Sequence, residues 1–155
     1  MAETTLETLD PIPFAFVTRT TPLTEMAKVM PASFAEVGAA FAAAKAQLAG
    51  MPMAHYTDYD GSSTTFEAGF PARPEDVEAL QRAGLSIGKT AGGRVMKAIH
   101  VGPYDEVVST YDAMTRAMKA QGLTGSRDMW ESYQSPPETP PEEIRTEVVW
   151  PVHPA

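Results

Sequence analysis

Residues 102–122, GPYDEVVSTYDAMTRAMKAQG, have the apolar pattern of an amphipathic helix. Apolar side chains recur there at three- and four-residue spacing, which places them on one face of a helix. This stripe consists of Tyr104, Val107, Tyr111, Met114 and Met118. Pro103 suits the first turn of a helix, and Gly122 is typical of the position after the last turn. We therefore predict a helix from about Pro103 to Gly122.

A second amphipathic helix is predicted in residues 33–50, SFAEVGAAFAAAKAQLAG. We expect Ser33 to cap its N-terminus and Gly50 to end it. Its apolar stripe lies 70 positions before the stripe of residues 102–122 and consists of Phe34, Val37, Phe41, Ala44 and Leu48. The equal spacing of the two stripes indicates that the chain is internally duplicated.

Strand patterns flank both predicted helices. Two of them form a hairpin around an Asp-Gly turn signal in residues 53–72. Glu67 and Glu147 each stand four residues before a proline, so the last strands of the two halves also correspond. The other predicted strands are TTLETLD (4–10), PFAFVTR (13–19), LSIGKT (85–90), RVMKAIHV (94–101), DMWESYQ (128–134) and RTEVVWPV (145–152).

Together these elements predict a single α+β domain over residues 1–155, with pseudo-repeats of about 4–72 and 84–152. We expect duplicated βαββ units that share one antiparallel sheet, two long helices on that sheet, and a ligand cleft between the halves. Residues 71–84, PARPEDVEALQRAG, are interpreted as a linker. Val77 and Leu80 give this segment a short helical pattern, but its Pro, Glu and Arg content suits a surface connection.

Composition restricts the class of protein. Twelve basic and twenty acidic residues give a formal charge of −8, which disfavours nucleic acid as a partner and favours a cationic ligand. The sequence has no cysteine, so disulfides and thiolate catalysis are excluded. Neither a signal-peptide pattern nor an apolar run approaching the ~20 residues of a membrane span is present. We therefore expect a cytoplasmic protein that does not contact membranes.

Short motifs for cofactors and metals fail on spacing. Residues 84–90, GLSIGKT, resemble a phosphate-binding loop, but only three residues separate the two glycines where that motif needs four. His55, His100 and His153 are scattered without a helical pair or a nearby acidic cluster, so surface or capping roles are expected for them. We predict no metal site, no cofactor and no nucleophilic triad.

Residues 130–152, WESYQSPPETPPEEIRTEVVWPV, place a carboxylate between aromatic side chains. Strand alternation puts Met129, Glu131 and Tyr133 on one face and Trp130 and Ser132 on the other. Glu131 therefore either faces solvent on a half-exposed sheet or is placed against an apolar ligand.

The sequence resembles the GyrI-like effector-binding domain, which also forms the drug-binding halves of AraC-type and MerR-type regulators. The resemblance rests on HVGPYDEV (100–107), the helix after it, WESYQ (130–134), the proline-rich loop and EEIRTEVVWPV (142–152), in that order. In the first half only YTDY (56–59) and FEAGFPA (66–72) match well. Because no residues are left over for a DNA-binding domain, the chain resembles the stand-alone members. Those members are described as small-molecule binders, as a gyrase inhibitor, and in some cases as hydrolases of cyclopropane-bearing alkylating natural products.

The resemblance implies a binding site around Glu131. In the multidrug-binding relatives an acidic residue on the strand after the second helix lies at the floor of an aromatic pocket, and Glu131 matches that position. Other candidate ligand-binding residues are Tyr133, Tyr104, Tyr111, Tyr56 and Trp150. The spacing of Tyr104 and Tyr111 equally fits a helix core.

Three functions fit these features. The first is capture of hydrophobic, cationic aromatic compounds for sensing or sequestration, with the ligand cation held by Glu131 and ring faces. The second is hydrolysis of a strained ring, with Glu131 as general base and the hydroxyl of Tyr133 or Tyr104 stabilising the leaving oxygen. The third is an acidic surface that mimics nucleic acid toward a gyrase-like partner. The first two use the same residues, and the sequence indicates no oligomeric state.

Overall fold

A computed structural model describes residues 3–136 and 138–155. Met1, Ala2 and Pro137 of the proline-rich loop lie outside the described residues. The elements in chain order are β1 (Thr4–Leu9), β2 (Pro13–Pro22), α1 (Met26–Ala43), β3 (Met53–Tyr59), β4 (Ser63–Pro71), α2 (Val77–Arg82), β5 (Ser86–Lys89), β6 (Gly93–Val101), α3 (Val108–Ala120), β7 (Leu123–Gly125), β8 (Met129–Tyr133) and β9 (Arg145–Pro154). The predicted α+β class with two long helices is confirmed. No helix in this part of the chain combines the length and the apolar character that a membrane span requires.

The chain forms two compact units. The N-terminal unit comprises residues 11–90 and pairs its strands in the order β3-β4-β2-β5. The C-terminal unit comprises the residues up to Asp10 together with 91–155, and its order is β1-β6-β9-β8, with β7 also paired to β9. These pairings are antiparallel.

The first strand of each predicted repeat therefore pairs with the second strand of the other repeat. Strand β1 lies against β6, and β5 lies against β2. The bounds of the compact units differ for this reason from those of the predicted repeats. The cleft between the halves and the single-domain assignment stay predictions.

Helix α1 is displaced from its predicted position. It runs over Met26–Ala43 and includes Pro31, so the prediction of 33–50 was wrong at both ends. Ser33 is not an N-cap, because its Oγ donates to the Val29 carbonyl within the helix at 2.7 Å. Lys45 adopts the left-handed conformation at φ 56° and ends the helix before Leu48, whose side chain is exposed.

The segment interpreted as a linker forms a helix. Residues Pro74–Asp76 form a 3-10 turn that leads into α2, and Leu80 of this helix is fully buried. Asp76 accepts hydrogen bonds from Arg73 Nε at 2.8 Å and from the Gln47 backbone N–H at 3.0 Å. The linker interpretation was wrong because proline and acidic residues favour a helix N-terminus as strongly as they favour a loop.

Each unit has its own apolar core. In the N-terminal unit α1 and α2 pack on the sheet, and the buried residues are Ala15, Val17, Val37, Phe41, Phe70, Ala72, Leu80 and Leu85. In the C-terminal unit α3 packs on the sheet, and the buried residues are Met96, Ala98, Val107, Met114, Met118, Leu123, Val148 and Val152. The predicted helix of residues 103–122 is confirmed, with a 3-10 first turn over Tyr104–Glu106 and Gly122 at φ 69° after its end.

Candidate functional site

Glu131 lies on the face of β8 that looks toward helix α3. It pairs with Val148 of β9, which belongs to the apolar core beneath that helix. The predicted alternation of β8 agrees with this placement, since the hydroxyl of Tyr133, two residues along, reaches Glu131. Only 2% of Glu131 is exposed, so the solvent-facing interpretation is excluded.

Three tyrosine hydroxyls donate hydrogen bonds to the Glu131 carboxylate. Tyr104 and Tyr133 donate to Oε1 at 2.5 Å and 2.9 Å, and Tyr111 donates to Oε2 at 2.5 Å. Short O–H···O contacts of this kind are typical of hydrogen bonds to an ionised carboxylate. We call Glu131 with Tyr104, Tyr111 and Tyr133 the tyrosine–glutamate cluster.

The electrostatics of the cluster keep the Tyr111 phenol neutral beside the Glu131 carboxylate. Burial of a carboxylate costs free energy unless hydrogen-bond donors replace its water, and the tyrosine hydroxyls are such donors. Burial, and after it the charge of Glu131, raise the pKa of Tyr111 well above its ordinary value. Tyr111 therefore keeps its proton and remains a donor.

His100 fixes the segment that carries the two helix-side tyrosines. Its Nε2 donates to the Pro103 carbonyl at 2.9 Å, since a carbonyl can only accept. Its Nδ1 then accepts from the Thr110 hydroxyl at 2.9 Å. His100 is 5% exposed, so the expected surface or capping role was wrong.

Aromatic rings continue the cluster on both sides. The Tyr111 ring meets Trp150 edge to face at a centroid distance of 5.6 Å, and the rings of Tyr104 and Tyr133 meet similarly at 6.1 Å. Trp150 lies directly over Gly125, where a Cβ would stand 2.4 Å from the indole ring. Tyr104 is 39% exposed while its hydroxyl reaches the buried Glu131, so this side chain connects the surface with the carboxylate.

The duplication provides an internal comparison for the cluster. The predicted correspondence of Phe34 with Tyr104 and of Phe41 with Tyr111 was wrong. Helices α1 and α3 end at Ala43 and Ala120, which places Phe34 at the position of Tyr111. Leu23 begins the 3-10 turn before α1 as Tyr104 begins the turn before α3. The position of Glu131 is taken by Ala54, which pairs with Ala68 as Glu131 pairs with Val148. The N-terminal unit therefore has a methyl group, a leucine side chain and a phenyl ring at the positions of the carboxylate and two of its phenols.

The ring packing is nevertheless the same in both units. Phe34 meets Phe70 edge to face at 6.1 Å and 69°, as Tyr111 meets Trp150 at 5.6 Å and 71°. The fold is thus built in the N-terminal unit without the polar atoms of the cluster. Packing accounts for the rings of the C-terminal unit, whereas it does not account for Glu131 and the hydroxyls of Tyr104 and Tyr111.

The two remaining candidate residues are Trp150 and Tyr56. Trp150 contacts it through Tyr111 and donates its Nε1–H to the Ser126 carbonyl at 2.8 Å. Tyr56 belongs to the N-terminal unit, where its ring lies 6.1 Å from that of Phe66. The structure therefore brings together Glu131, Tyr104, Tyr111 and Tyr133, and the ligand-binding role of all six candidates stays a prediction.

A shallow depression of about 400 Å³ lies on the C-terminal unit but does not include the cluster. Its lining mixes acidic, basic and apolar side chains and comprises Glu3, Thr5, Glu7, Lys97, Ala98, Ile99, Val101, Arg145 and Glu147. Glu147 precedes Val148 on β9 and therefore points to the face opposite Glu131. The depression has no aromatic side chain and lacks the chemistry expected for an aromatic ligand.

Residues 2–153 match the family model of the GyrI-like small molecule binding domain. The chain belongs to this family, which confirms the predicted resemblance. The sequence matches no protein of curated function.

Solved structures show the same fold at low sequence identity. The C-terminal domain of EcmrR is 16% identical with a TM-score of 0.80, over 100% of this chain and 99% of that one. A hydrolase from Listeria innocua is 19% identical with a TM-score of 0.70, over 97% and 92% of the two chains. SAV2435 bound to tetraphenylphosphonium is 15% identical with a TM-score of 0.63, over 97% and 94%.

Proposed function

We propose that this chain binds a hydrophobic, cationic aromatic compound at the tyrosine–glutamate cluster, as a sensor or a sequestering protein. The observation that carries the proposal is the burial of Glu131 to 2% exposure with three phenol donors on its two oxygens. A charge in that position is costly for folding, and the N-terminal unit places Ala54 there instead. The carboxylate is therefore explained by binding better than by stability.

A delocalised cation gains from both parts of this cluster. It meets the buried negative charge of Glu131 where water screens it little. It also meets the ring faces of the tyrosines, and each cation–π contact contributes ~0.5–2 kcal/mol depending on desolvation. The formal charge of −8 adds a weak attraction at longer range. Tyr104 reaches from the surface to Glu131, so we infer that the ligand approaches beside this ring.

The comparisons support the ligand class. SAV2435 is a structural neighbour whose ligand, tetraphenylphosphonium, is an aromatic cation. This neighbour shares only the fold at 15% identity, so its ligand guides the choice of probe and does not identify the natural ligand.

Hydrolysis is the second candidate, favoured by the neighbour described as a hydrolase from Listeria innocua. In that reaction Glu131 takes a proton from water that attacks a strained, cyclopropane-bearing electrophile. The Glu131 carboxylate already accepts three phenol hydrogen bonds, which leaves at most about one acceptor site for an attacking water molecule. We therefore favour binding. Ring-opened product formed by wild type but not by Glu131→Gln would favour hydrolysis over binding.

The test uses two ligands of nearly the same shape and different charge. Methyltriphenylphosphonium is a cation, and triphenylphosphine oxide is neutral. Titrations followed by tryptophan emission are suitable because Trp150 touches Tyr111. Glu131→Gln should weaken binding of the cation by roughly tenfold, about 1.4 kcal/mol. It should change the affinity for the neutral ligand much less.

A matched control separates the local effect from the loss of one net charge. Glu147→Gln removes the same charge on β9, at a residue that points to the opposite face of the sheet. It should leave both affinities within about twofold, since the removed charge lies on the face of the sheet away from Glu131. Equal weakening of both ligands by Glu131→Gln, or an equal effect of Glu147→Gln, would refute the proposed electrostatic recognition.

A further inference from the structure

Thr146 carries a buried hydroxyl that lacks a hydrogen-bond partner, unlike the buried hydroxyl of Thr110. It is 1% exposed, and among residues 3–136 and 138–155 its Oγ1 has no hydrogen-bond partner. A buried hydroxyl without a partner costs free energy, so such groups are rare in folded proteins. Thr110 is equally buried, yet its hydroxyl is engaged with His100 Nδ1 at 2.9 Å.

Strand register places Thr146 beside the tyrosine–glutamate cluster. On β9 it lies opposite Tyr133 of β8 and opposite His100 of β6. The next pair on the same face of the sheet is Val148 with Glu131. Thr146 therefore points to the same side as Glu131, as its diagonal neighbour, and such neighbours are roughly 7–8 Å apart.

The polar groups around Thr146 are directed elsewhere. The Tyr133 hydroxyl donates to Glu131, and the two ring nitrogens of His100 are engaged by Pro103 and Thr110. Thr146 thus has a buried hydroxyl beside a cluster whose tyrosine hydroxyls donate to Glu131.

The duplicated unit shows that the fold does not need this hydroxyl. Phe66 holds the equivalent position on β4, opposite Tyr56 as Thr146 is opposite Tyr133. Phe66 is fully buried and packs against the Tyr56 ring at 6.1 Å. An apolar side chain satisfies the sheet in the N-terminal unit, so the hydroxyl of Thr146 needs another explanation.

We propose that Thr146 determines ligand specificity by hydrogen-bonding a polar substituent on the aromatic cation held at Glu131. This inference rests on the proposed function and narrows it. The ligand class becomes an aromatic cation with a hydroxyl, ether or carbonyl group on the order of 7 Å from the charged centre. In the ligand complex the Thr146 hydroxyl then has the partner that the protein alone does not provide.

The first arm of the test needs no ligand. Thr146→Val replaces the hydroxyl by a methyl group of similar size, and it should raise the melting temperature by roughly 3 °C. Thr110→Val is the matched control, because it removes a hydroxyl that has a partner, and it should lower the melting temperature. A Thr146→Val protein that melts below wild type would overturn the inference, since the hydroxyl would then have an internal partner.

The second arm measures specificity. Tetraphenylphosphonium and its three hydroxyphenyl isomers, in which one ring carries one hydroxyl, are titrated at about pH 6 so that the phenol stays protonated. In wild type one isomer should bind roughly three- to tenfold more tightly than tetraphenylphosphonium, and Thr146→Val should abolish this preference. Tetraphenylphosphonium itself should bind both proteins equally.

The outcomes separate the two proposals. If the phosphonium ions bind but no isomer is preferred, or if Thr146→Val keeps the preference, the role of Thr146 is refuted while the proposed function stands. If none of the phosphonium ions binds wild type, the proposed function fails and the ligand role of Thr146 fails with it. The melting temperatures still decide in that case whether the hydroxyl is unsatisfied.

Discussion

Replacement of Tyr111 by phenylalanine should destabilise the protein through the loss of one hydrogen bond. The Tyr111 hydroxyl donates to Glu131 Oε2 at 2.5 Å, and a hydrogen bond to a charged group contributes about 1.5–3 kcal/mol. A phenyl ring fits the position, because Phe34 makes the equivalent edge-to-face contact with Phe70 in the N-terminal unit. The lost free energy of unfolding therefore reports the hydroxyl and not the packing.

Urea unfolding followed by circular dichroism measures this loss. At a slope of about 2 kcal/mol per M, a loss of about 2 kcal/mol lowers the midpoint by roughly 1 M. Tyr59→Phe is the control, since the Tyr59 side chain is exposed and its loss of a hydroxyl should leave the midpoint unchanged. In a Glu131→Gln background the Tyr111→Phe cost should fall by about 1 kcal/mol, because the hydroxyl then meets a neutral amide. A Tyr111→Phe midpoint equal to that of wild type, or an equal cost in both backgrounds, would refute the reasoning.

The remaining predictions concern pH and packing. The raised pKa of Tyr111 means that the unfolded chain loses this proton first, so stability should be full below about pH 10 and fall above it by about 1.4 kcal/mol per pH unit. Tyr111→Phe should remove this fall of stability with pH, as measured by urea unfolding at alkaline pH. If the free energy of unfolding of Tyr111→Phe fell with pH as steeply as that of wild type, the raised pKa of Tyr111 would be contradicted. The backbone N–H groups of Ser62 and Ser63 lower the pKa of Asp60 from its usual 3.8 to about 2, and carboxyl NMR should find its midpoint there rather than near the usual value. Leu80→Ala should cost about 2–5 kcal/mol in urea unfolding, whereas a loss under about 0.5 kcal/mol would restore the linker interpretation.

The sequence predicted the elements that have strong local patterns. The helix of residues 103–122 has both an apolar stripe and a terminal glycine, and its C-terminal end was predicted well, whereas α3 begins only at Val108 after a 3-10 turn. Helix α1 ends before Lys45, which adopts the left-handed conformation that glycine usually adopts at this position. No glycine in the sequence therefore marked the end of this helix. Strand β7, Leu123–Gly125, is only three residues long and carries too short a pattern to detect.

Strand exchange between the predicted repeats is a property of tertiary structure. Strands β1 and β5 begin equivalent repeats, and their local patterns fit either partner equally. Pairing of β1 with β6 is decided by contacts far apart in the sequence, which periodicity does not report.

The candidate site was also predictable from the sequence only in part. Alternation along β8 and the family resemblance were enough to single out Glu131 and to place Tyr133 on its face. The convergence of Tyr104 and Tyr111 on the same carboxylate depends on the 3-10 turn Tyr104–Glu106 and on His100, neither of which has a pattern of its own. Thr146 was missed because the lack of a hydrogen-bond partner is visible only when its surroundings are known.

The position of a bound aromatic cation relative to Glu131 is the most direct test of the proposed binding. Crystals grown with tetraphenylarsonium would locate the cation through the anomalous scattering of its arsenic atom. We predict an anomalous peak within roughly 6 Å of the Glu131 carboxylate or of the surrounding tyrosine rings, the range of a cation–π contact. A saturable solution affinity together with a peak elsewhere on the chain would contradict the account.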